Sequence, residues 1–439
     1  MLWGAAMAGG ARVVKADRSQ LGWDLVDLEG WLPADHRARV VWALAETLEL
    51  GELYAAIKSR EGEAGRPASD PRVVLALWLY ASIEGVGSAR ELARLCQSDL
   101  AYRWLRGGVP IDYHLLSDFR SGQGAVLDRL LSASLAALLA EGLVRLDEVI
   151  IDGTKVRAAA GKSSFKTADG LVWMAQLAEK RVAALKAEVD ADPAANSRRR
   201  KAAGERAARE IGERAARARA VLDKFAAERA ERAKRHKSDE AGKAEPSVSA
   251  SDPQARLMRF ADGAVRPGYN VQVVATADCG LIVGIDPTDR RNDSGLAQPM
   301  VREVERRLGR RPGRAIVDGS YAAGEDIVTL AEHPCPTMIF APVKPDRTDV
   351  TAHALRVRAA NRAREPEALR DWRARMATPE AEAILRRRKR IELVNAHIKN
   401  RGFGRQLVRG LEKIRAVALL HALAHNLMTA HRLRLAAPA

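Results

Sequence analysis

Two apolar runs in this chain each run into a carboxylate followed by glycine: Ile150-Ile151-Asp152-Gly153 and Ile316-Val317-Asp318-Gly319. A carboxylate at the end of a buried strand is fixed at the rim of a sheet. Two such strands side by side would bring both carboxylates to one edge. Hard divalent cations take oxygen ligands, and Mg²⁺ in particular takes a few carboxylates, several waters and substrate phosphate. An Asp-Gly pair read alone is an ordinary turn after a strand. A third group sits far downstream, where Arg388, Glu392 and Lys399 are spaced R-x3-E-x6-K. Arg388 and Glu392 are i,i+4 and share a helical face, and Lys399 falls two turns further along it. A glutamate there could complete a cation site while the two cations hold phosphates. Read alone, the same pattern is a solvated ion pair on a basic helix.

The elements that must carry these residues follow from the hydrophobic pattern. Residues 1–145 read as helices. Val73–Tyr80 is densely apolar, Gly85 and Gly87 break it, and Ser88-Ala-Arg-Glu91 opens the next helix as a capping box. This helix–turn–helix spacing puts Arg90 and Arg94 where they could meet a duplex; an ordinary helical hairpin has the same pattern. Trp23, Trp31, Trp42, Trp78 and Trp104 are expected in the core of this region. A short strand at 149–151 is expected to end at Asp152-Gly153. Residues 171–240 predict a helical hairpin interrupted at Pro193, and 238–251 a loop. Strands return at 269–275 and 281–285, with a turn at Cys279-Gly280. A helix is expected at 296–308, a strand at 314–317, a short helix at 326–333 and a strand at 337–341. Residues 343–378 read as charged and irregular. Long helices are expected at 379–400 and 411–433. This order is an α/β arrangement with a large insertion.

The composition narrows the function. The chain has 439 residues, with 72 Lys and Arg against 56 Asp and Glu, a formal charge of +16. So basic a chain suits a polyanionic partner, nucleic acid first. Three scattered cysteines, Cys96, Cys279 and Cys335, exclude a disulfide framework and a cysteine-rich zinc site. The weakly apolar start lacks a basic region before it, so no signal peptide is expected. The uncharged run 416–430 is too short to span a bilayer. His421 and His425 within it are i,i+4, a metal-pair spacing, but no third ligand accompanies them and a core role is expected. Asp278, Asp286, Asp289 and Asp293 are expected in turns, with Asn292-Asp293 a candidate support for the carboxylate edge.

The motifs together resemble the DDE transposases of bacterial insertion sequences, in the group with a Y-R-E-K signature. The matching segments are Val149-Ile-Ile-Asp152-Gly-Thr-Lys155, Ala315-Ile-Val-Asp318-Gly-Ser-Tyr321 and Arg388-Lys-Arg-Ile-Glu392 through Lys399. Softer matches are Ser251–Arg256, Pro267–Gln272, Asn292-Asp293-Ser294, Arg401–Gly404 and Arg409–Leu411. Asp99–Leu105 and Leu116–Arg120 are similar to the helical domain that precedes the core in this group. The signature tyrosine falls at Leu385 here, which removes the DNA-backbone contact attributed to it.

The resemblance implies an RNase H-like core, a five-stranded mixed sheet with flanking helices. The core would comprise 146–157 and 262–439, preceded by a helical DNA-binding domain at 1–145 and interrupted by a helical insertion at 158–261. Asp152, Asp318 and Glu392 would be both the catalytic residues and the metal ligands, with two Mg²⁺ or Mn²⁺ ions expected. Arg388 and Lys399 would hold phosphates, with Arg90 and Arg94 as further DNA contacts. The implied activity is cleavage and strand transfer at the element's own ends, by a homodimer on double-stranded DNA in the cytoplasm. The alternatives are an RNase H-fold nuclease without strand transfer and a non-catalytic DNA-binding derivative.

Overall fold

The computed structural model describes residues 27–59, 67–191, 195–236, 245–343 and 351–436. The sheet is built from β1 (Glu148–Arg157), β2 (Arg256–Arg259), β3 (Val265–Thr276), β4 (Ile282–Thr288), β5 (Arg314–Ile316) and β6 (Met338–Phe340). β1 lies at its centre, antiparallel to β3 and parallel to β5, and β6 continues the parallel side. β4 and β2 both pair antiparallel with β3, β4 along Asn270–Ala275 and β2 along Val265–Gly268. Five strands were expected; β2 is a sixth, added where β3 extends past the end of β4. The order β4-β3-β1-β5-β6, with helices against it, makes this an RNase H-like core.

Burial explains the strand assignments. Glu148–Ile151 and the whole of 267–276 are buried, as befits strands covered on both faces. The expected turn at Cys279-Gly280 is present, with Gly280 at φ 77°. β1 differs from expectation, because it runs through Asp152-Gly153 to Arg157 rather than turning there. Pairing with β3 continues to Arg157, so the glycine lies inside a strand.

The N-terminal helices share this core. Pro71–Glu84 starts at Asp70, which caps Arg72 N at 2.8 Å, and ends at Gly85 with φ 79°. It is buried on nearly every side. The C-terminal helix Leu411–Ala436 packs across it, across Tyr113–Gly122 and Gly124–Ala140, and against β4. His421 and His425 are in that buried contact, as expected: His421 packs on Phe403, and His425 Nε2 bonds to Gly280 O at 3.0 Å. Burial pushes their pKa values down to about 3 and about 4. Asn426 Oδ1 accepts from Ile282 N, and its Nδ2 donates to Ile282 O, each at 2.7 Å. Among the described residues no single helix is long and apolar enough to cross a membrane.

Only Trp78 of the predicted tryptophans is fully in the core. Trp31 and Trp104 are half-buried under the guanidinium groups of Arg103 and Arg39, and Trp42 is half-buried too. Their indoles are wide enough to cover an arginine stem while staying partly wet. Trp23 lies outside the described residues, as does Pro193.

Between β1 and β3 the chain leaves the sheet as a helical hairpin, Ala168–Ala191 and Ala195–His236. It has its own small cluster of Leu171, Ala218, Leu222 and Val248. Val248 pairs with Lys166 in a two-residue strand inside the expected loop. Residues 343–378, expected to be irregular, contain the helices Ala352–Ala363 and Glu367–Met376. Trp372 anchors the second helix with 4% exposure. One apolar anchor per few turns is too sparse to show as periodicity in a charged sequence. The expected long helix 379–400 is segmented: Pro379–Leu385, a 3₁₀ turn at Arg386–Arg388, then Lys389–Ile398.

Candidate active site

β1 and β5 pair in register from Glu148↔Arg314 to Ile150↔Ile316. Two residues further on, Asp152 and Asp318 occupy equivalent positions on neighbouring parallel chains. Residues two apart in a strand share a face, so both carboxylates belong to the same side of the same edge. β5 stops at Ile316, which leaves that side of Asp152 open. The chain then turns over Asp318, whose Oδ1 accepts from Ser320 N at 2.6 Å and from Ser320 Oγ at 2.5 Å.

Asp293 joins them from the loop after β4. Its Oδ1 accepts from Asn270 Nδ2 at 2.7 Å and Gln272 Nε2 at 2.9 Å, and Ser320 Oγ is 3.5 Å from its Oδ2. Gln272 Oε1 is in turn bound by the buried Tyr321 hydroxyl. Gly153 lies beneath this group. A Cβ there would overlap Asp293 Oδ1 and stand 2.7 Å from Asn270 Oδ1 and Gln272 Nε2.

The helix Lys389–Ile398 closes the site. Asn395 Nδ2 donates to Asp152 Oδ2 at 3.0 Å. The charge of Arg388 acts on Asp152, and that of Asp152 on Lys399. Arg388, Asn395 and Lys399 therefore all address Asp152 from the helix face that also carries Glu392. Glu392 itself is ion-paired to Arg388 at 3.4 Å, with its side chain 59% exposed. Leu385 is partly buried against the core, so it packs where the signature tyrosine would reach out. Below the site, Arg387 ties this segment to Glu148 at 3.0 Å.

Burial pushes the Asp152 carboxyl up to about 6; Asp318 and Asp293 add to the rise, and Arg388 opposes it. The Tyr321 phenol is raised by burial and by the same three carboxylates. Among the described residues no three acidic, histidine or cysteine side chains are grouped tightly enough to hold an ion as they stand. Asp152 and Asp318 are braced by Asn395 and Ser320, and Glu392 is drawn to Arg388. The donor set nevertheless fits a hard divalent cation, since every donor is oxygen and the half-buried Asp152 is unfavourably ionised beside like charges.

Arg90 and Arg94 stand apart from this cluster, on the helix Ala89–Ser98, whose cap Ser88 Oγ accepts from Glu91 N at 3.4 Å. Arg94 pairs with Glu91 at 2.5 Å and Arg90 lies over Tyr113. The sequence reading missed Asn395, Asn270 and Gln272. The signal for the last two was present: Asn270 and Gln272 alternate on one face of an otherwise apolar buried strand, and buried amides demand partners.

Two family models match the chain: "Transposase DDE domain" over residues 243–427, and "Transposase domain (DUF772)" over 26–122. The chain belongs to the DDE transposases of insertion sequences. The DDE match takes in Asp293, Asp318 and Glu392, and the second match covers the N-terminal helices with Arg90 and Arg94. No curated protein and no solved structure matches the chain. Members of this family are enzymes of DNA transposition and normally use a divalent metal, so the oxygen-lined edge is the natural place to look for catalysis.

Proposed function

We propose that this transposase cuts DNA at the ends of its element and joins them to target DNA, using Asp152, Asp318 and Glu392 as its catalytic carboxylates. The observation that carries the reading is the shared orientation of two separate elements. Asp152 and Asp318 are level on parallel strands, and the Glu392 helix presents Arg388, Asn395 and Lys399 to Asp152. The Arg388–Glu392 spacing and its ion pair also support the Y-R-E-K subgroup, with Leu385 in place of tyrosine.

The three carboxylates would hold two Mg²⁺ or Mn²⁺ ions. When bound, such ions polarise the scissile phosphate and lower the pKa of water. The chain's own residues set the rest. Asn395 orients the Asp152 carboxylate, and Ser320 orients that of Asp318. Arg388 and Lys399 offer positive charge to phosphates beside them, Arg388 with a planar fork and Lys399 as a point charge. Hydrolysis frees a 3′-hydroxyl on the element end, which then attacks a target phosphodiester, so no covalent protein intermediate is needed. Two ends must be held together, which calls for a homodimer on DNA, with Arg90 and Arg94 as further backbone contacts in the cytoplasmic nucleoid.

The test is a cleavage and strand-transfer assay on duplexes bearing the element ends, with Mg²⁺, with Mn²⁺ and with neither. Metal-dependent nicking followed by joining is expected, and Glu392→Gln should abolish both while keeping DNA binding. Nicking without joining would leave a nuclease. DNA binding without nicking in either metal would leave a non-catalytic derivative.

A further inference from the structure

Asp293 is the one carboxylate at this edge that the DDE triad leaves without a role, and its surroundings are specific. It crosses the backbone of Gly153, the residue after Asp152, at a place where any Cβ would overlap it. On its other side Ser320 connects it to Asp318. It therefore spans the gap between the two catalytic aspartates. Two amides on β3 hold one oxygen, and the other has only the long 3.5 Å contact to Ser320. Beside it, the Asn270 side chain is 1% exposed and its Oδ1 has no hydrogen-bond partner. That oxygen lies next to Asp293 Oδ1 above Gly153. A buried amide oxygen without a donor is costly, and a cation is one group that would satisfy it. Glu392, in contrast, is exposed and paired with Arg388.

We propose that Asp293 is a fourth carboxylate of the catalytic centre: with Asp152 and Asp318 it forms a divalent-cation site that exists before DNA binds, and Glu392 joins only in the DNA complex. This rests on the DDE reading of Asp152 and Asp318. It gives the first Asp-Gly motif a purpose other than a turn, since glycine at 153 is what lets a third carboxylate reach the pair. It also divides the labour between a rigid cluster braced by β3 and a mobile glutamate on the helix.

The experiment measures Mn²⁺ binding to the full-length protein without DNA, by the loss of the free-Mn²⁺ resonance in EPR titration. The Asp293→Asn variant should weaken binding by about tenfold or more with its melting temperature in apo form retained, while Glu392→Gln stays within about twofold of the unaltered protein, where a ligand supplied later should leave it. Binding by Asp293→Asn equal to that of the unaltered protein overturns the proposal, as does an unaltered protein that takes up no Mn²⁺ without DNA. Asp152→Asn separates the two readings. If it abolishes binding and Asp293→Asn does not, only the present inference falls; if neither variant matters, the DDE assignment of this edge falls with it. A second measurement needs no variant: Fe²⁺ with ascorbate and peroxide should cut the chain near residue 293 as well as near 152 and 318. Cutting confined to the latter two also overturns it.

Discussion

Asn395 donates its Nδ2 to Asp152 Oδ2 at 3.0 Å, from one helical turn beyond Glu392. This bond fastens the helix of the third carboxylate to the strand of the first. Asn395 is 6% exposed, so a competing water cannot easily replace it. Bonds to an ionised acceptor are worth roughly 1.5–3 kcal/mol.

Asn395→Ala should therefore lower the rate of cleavage more than it lowers DNA affinity. Losing a donor to the carboxylate also disfavours its ionised form, so the pH–rate profile should move to higher pH. A rate profile that keeps its shape and position would show that the bond is only a packing detail.

Asp152 carries a stability cost that its chemistry explains. Its pKa is raised from the usual carboxylate value to about 6. The folded state therefore holds this proton more tightly than the unfolded chain does. That contribution is complete below about pH 4 and is lost as the pH rises through 6. At pH 8 the ionised group costs on the order of 2–3 kcal/mol. Asp152→Asn should raise the melting temperature of the metal-free protein by a few degrees at pH 8 and leave it unchanged near pH 4. Stabilisation of the unaltered protein by Mn²⁺ should likewise fade below pH 6, where the proton competes for the same oxygen. Thermal melts across pH check both.

Gly153 gives a purely steric test. A methyl group there would collide with Asp293 and crowd Asn270 and Gln272. The neighbours are held by each other, so little room can be made, and overpacking of this kind costs roughly 1–3 kcal/mol. Gly153→Ala should destabilise the protein by that amount in denaturant unfolding. Combining it with Asp293→Ala should recover part of the loss, since the worst overlap is with Asp293. Strictly additive losses in the double variant would show that the two residues do not share the space.

The triad was legible because its carriers are. Apolar strands with β-branched residues before Asp152 and Asp318, and a basic helix around Glu392, leave marks at short range in sequence. The RNase H-like order of strands followed from the same marks. What remained hidden depends on pairing between distant segments. β1 does not turn at Asp152-Gly153, because β3, over a hundred residues away, keeps it extended to Arg157. Asn395 looks like any polar residue on a helix until Asp152 faces it. The segment 343–378 hid its helices because charged residues dominate it and Trp372 is its main apolar anchor.

Arg388 offers the sharpest test of how DNA engages the site. It holds Glu392 at 3.4 Å, and its charge is what most favours the ionised form of Asp152. A DNA phosphate meeting this guanidinium would compete with Glu392 and leave that carboxylate available to the aspartate pair. Arg388→Ala removes the latch, the phosphate contact and the charge that favours ionised Asp152. Its DNA affinity should fall by a similar factor on all sequences, and the slope of log K against log salt should become shallower by about one unit. Its cleavage optimum should also shift to higher pH, because Asp152 loses the cation that opposes protonation. Arg388→Lys keeps the charge and should keep the pH optimum while losing the forked contact. If both variants retain the salt slope of the unaltered protein, Arg388 does not touch the DNA backbone and serves only to hold Glu392.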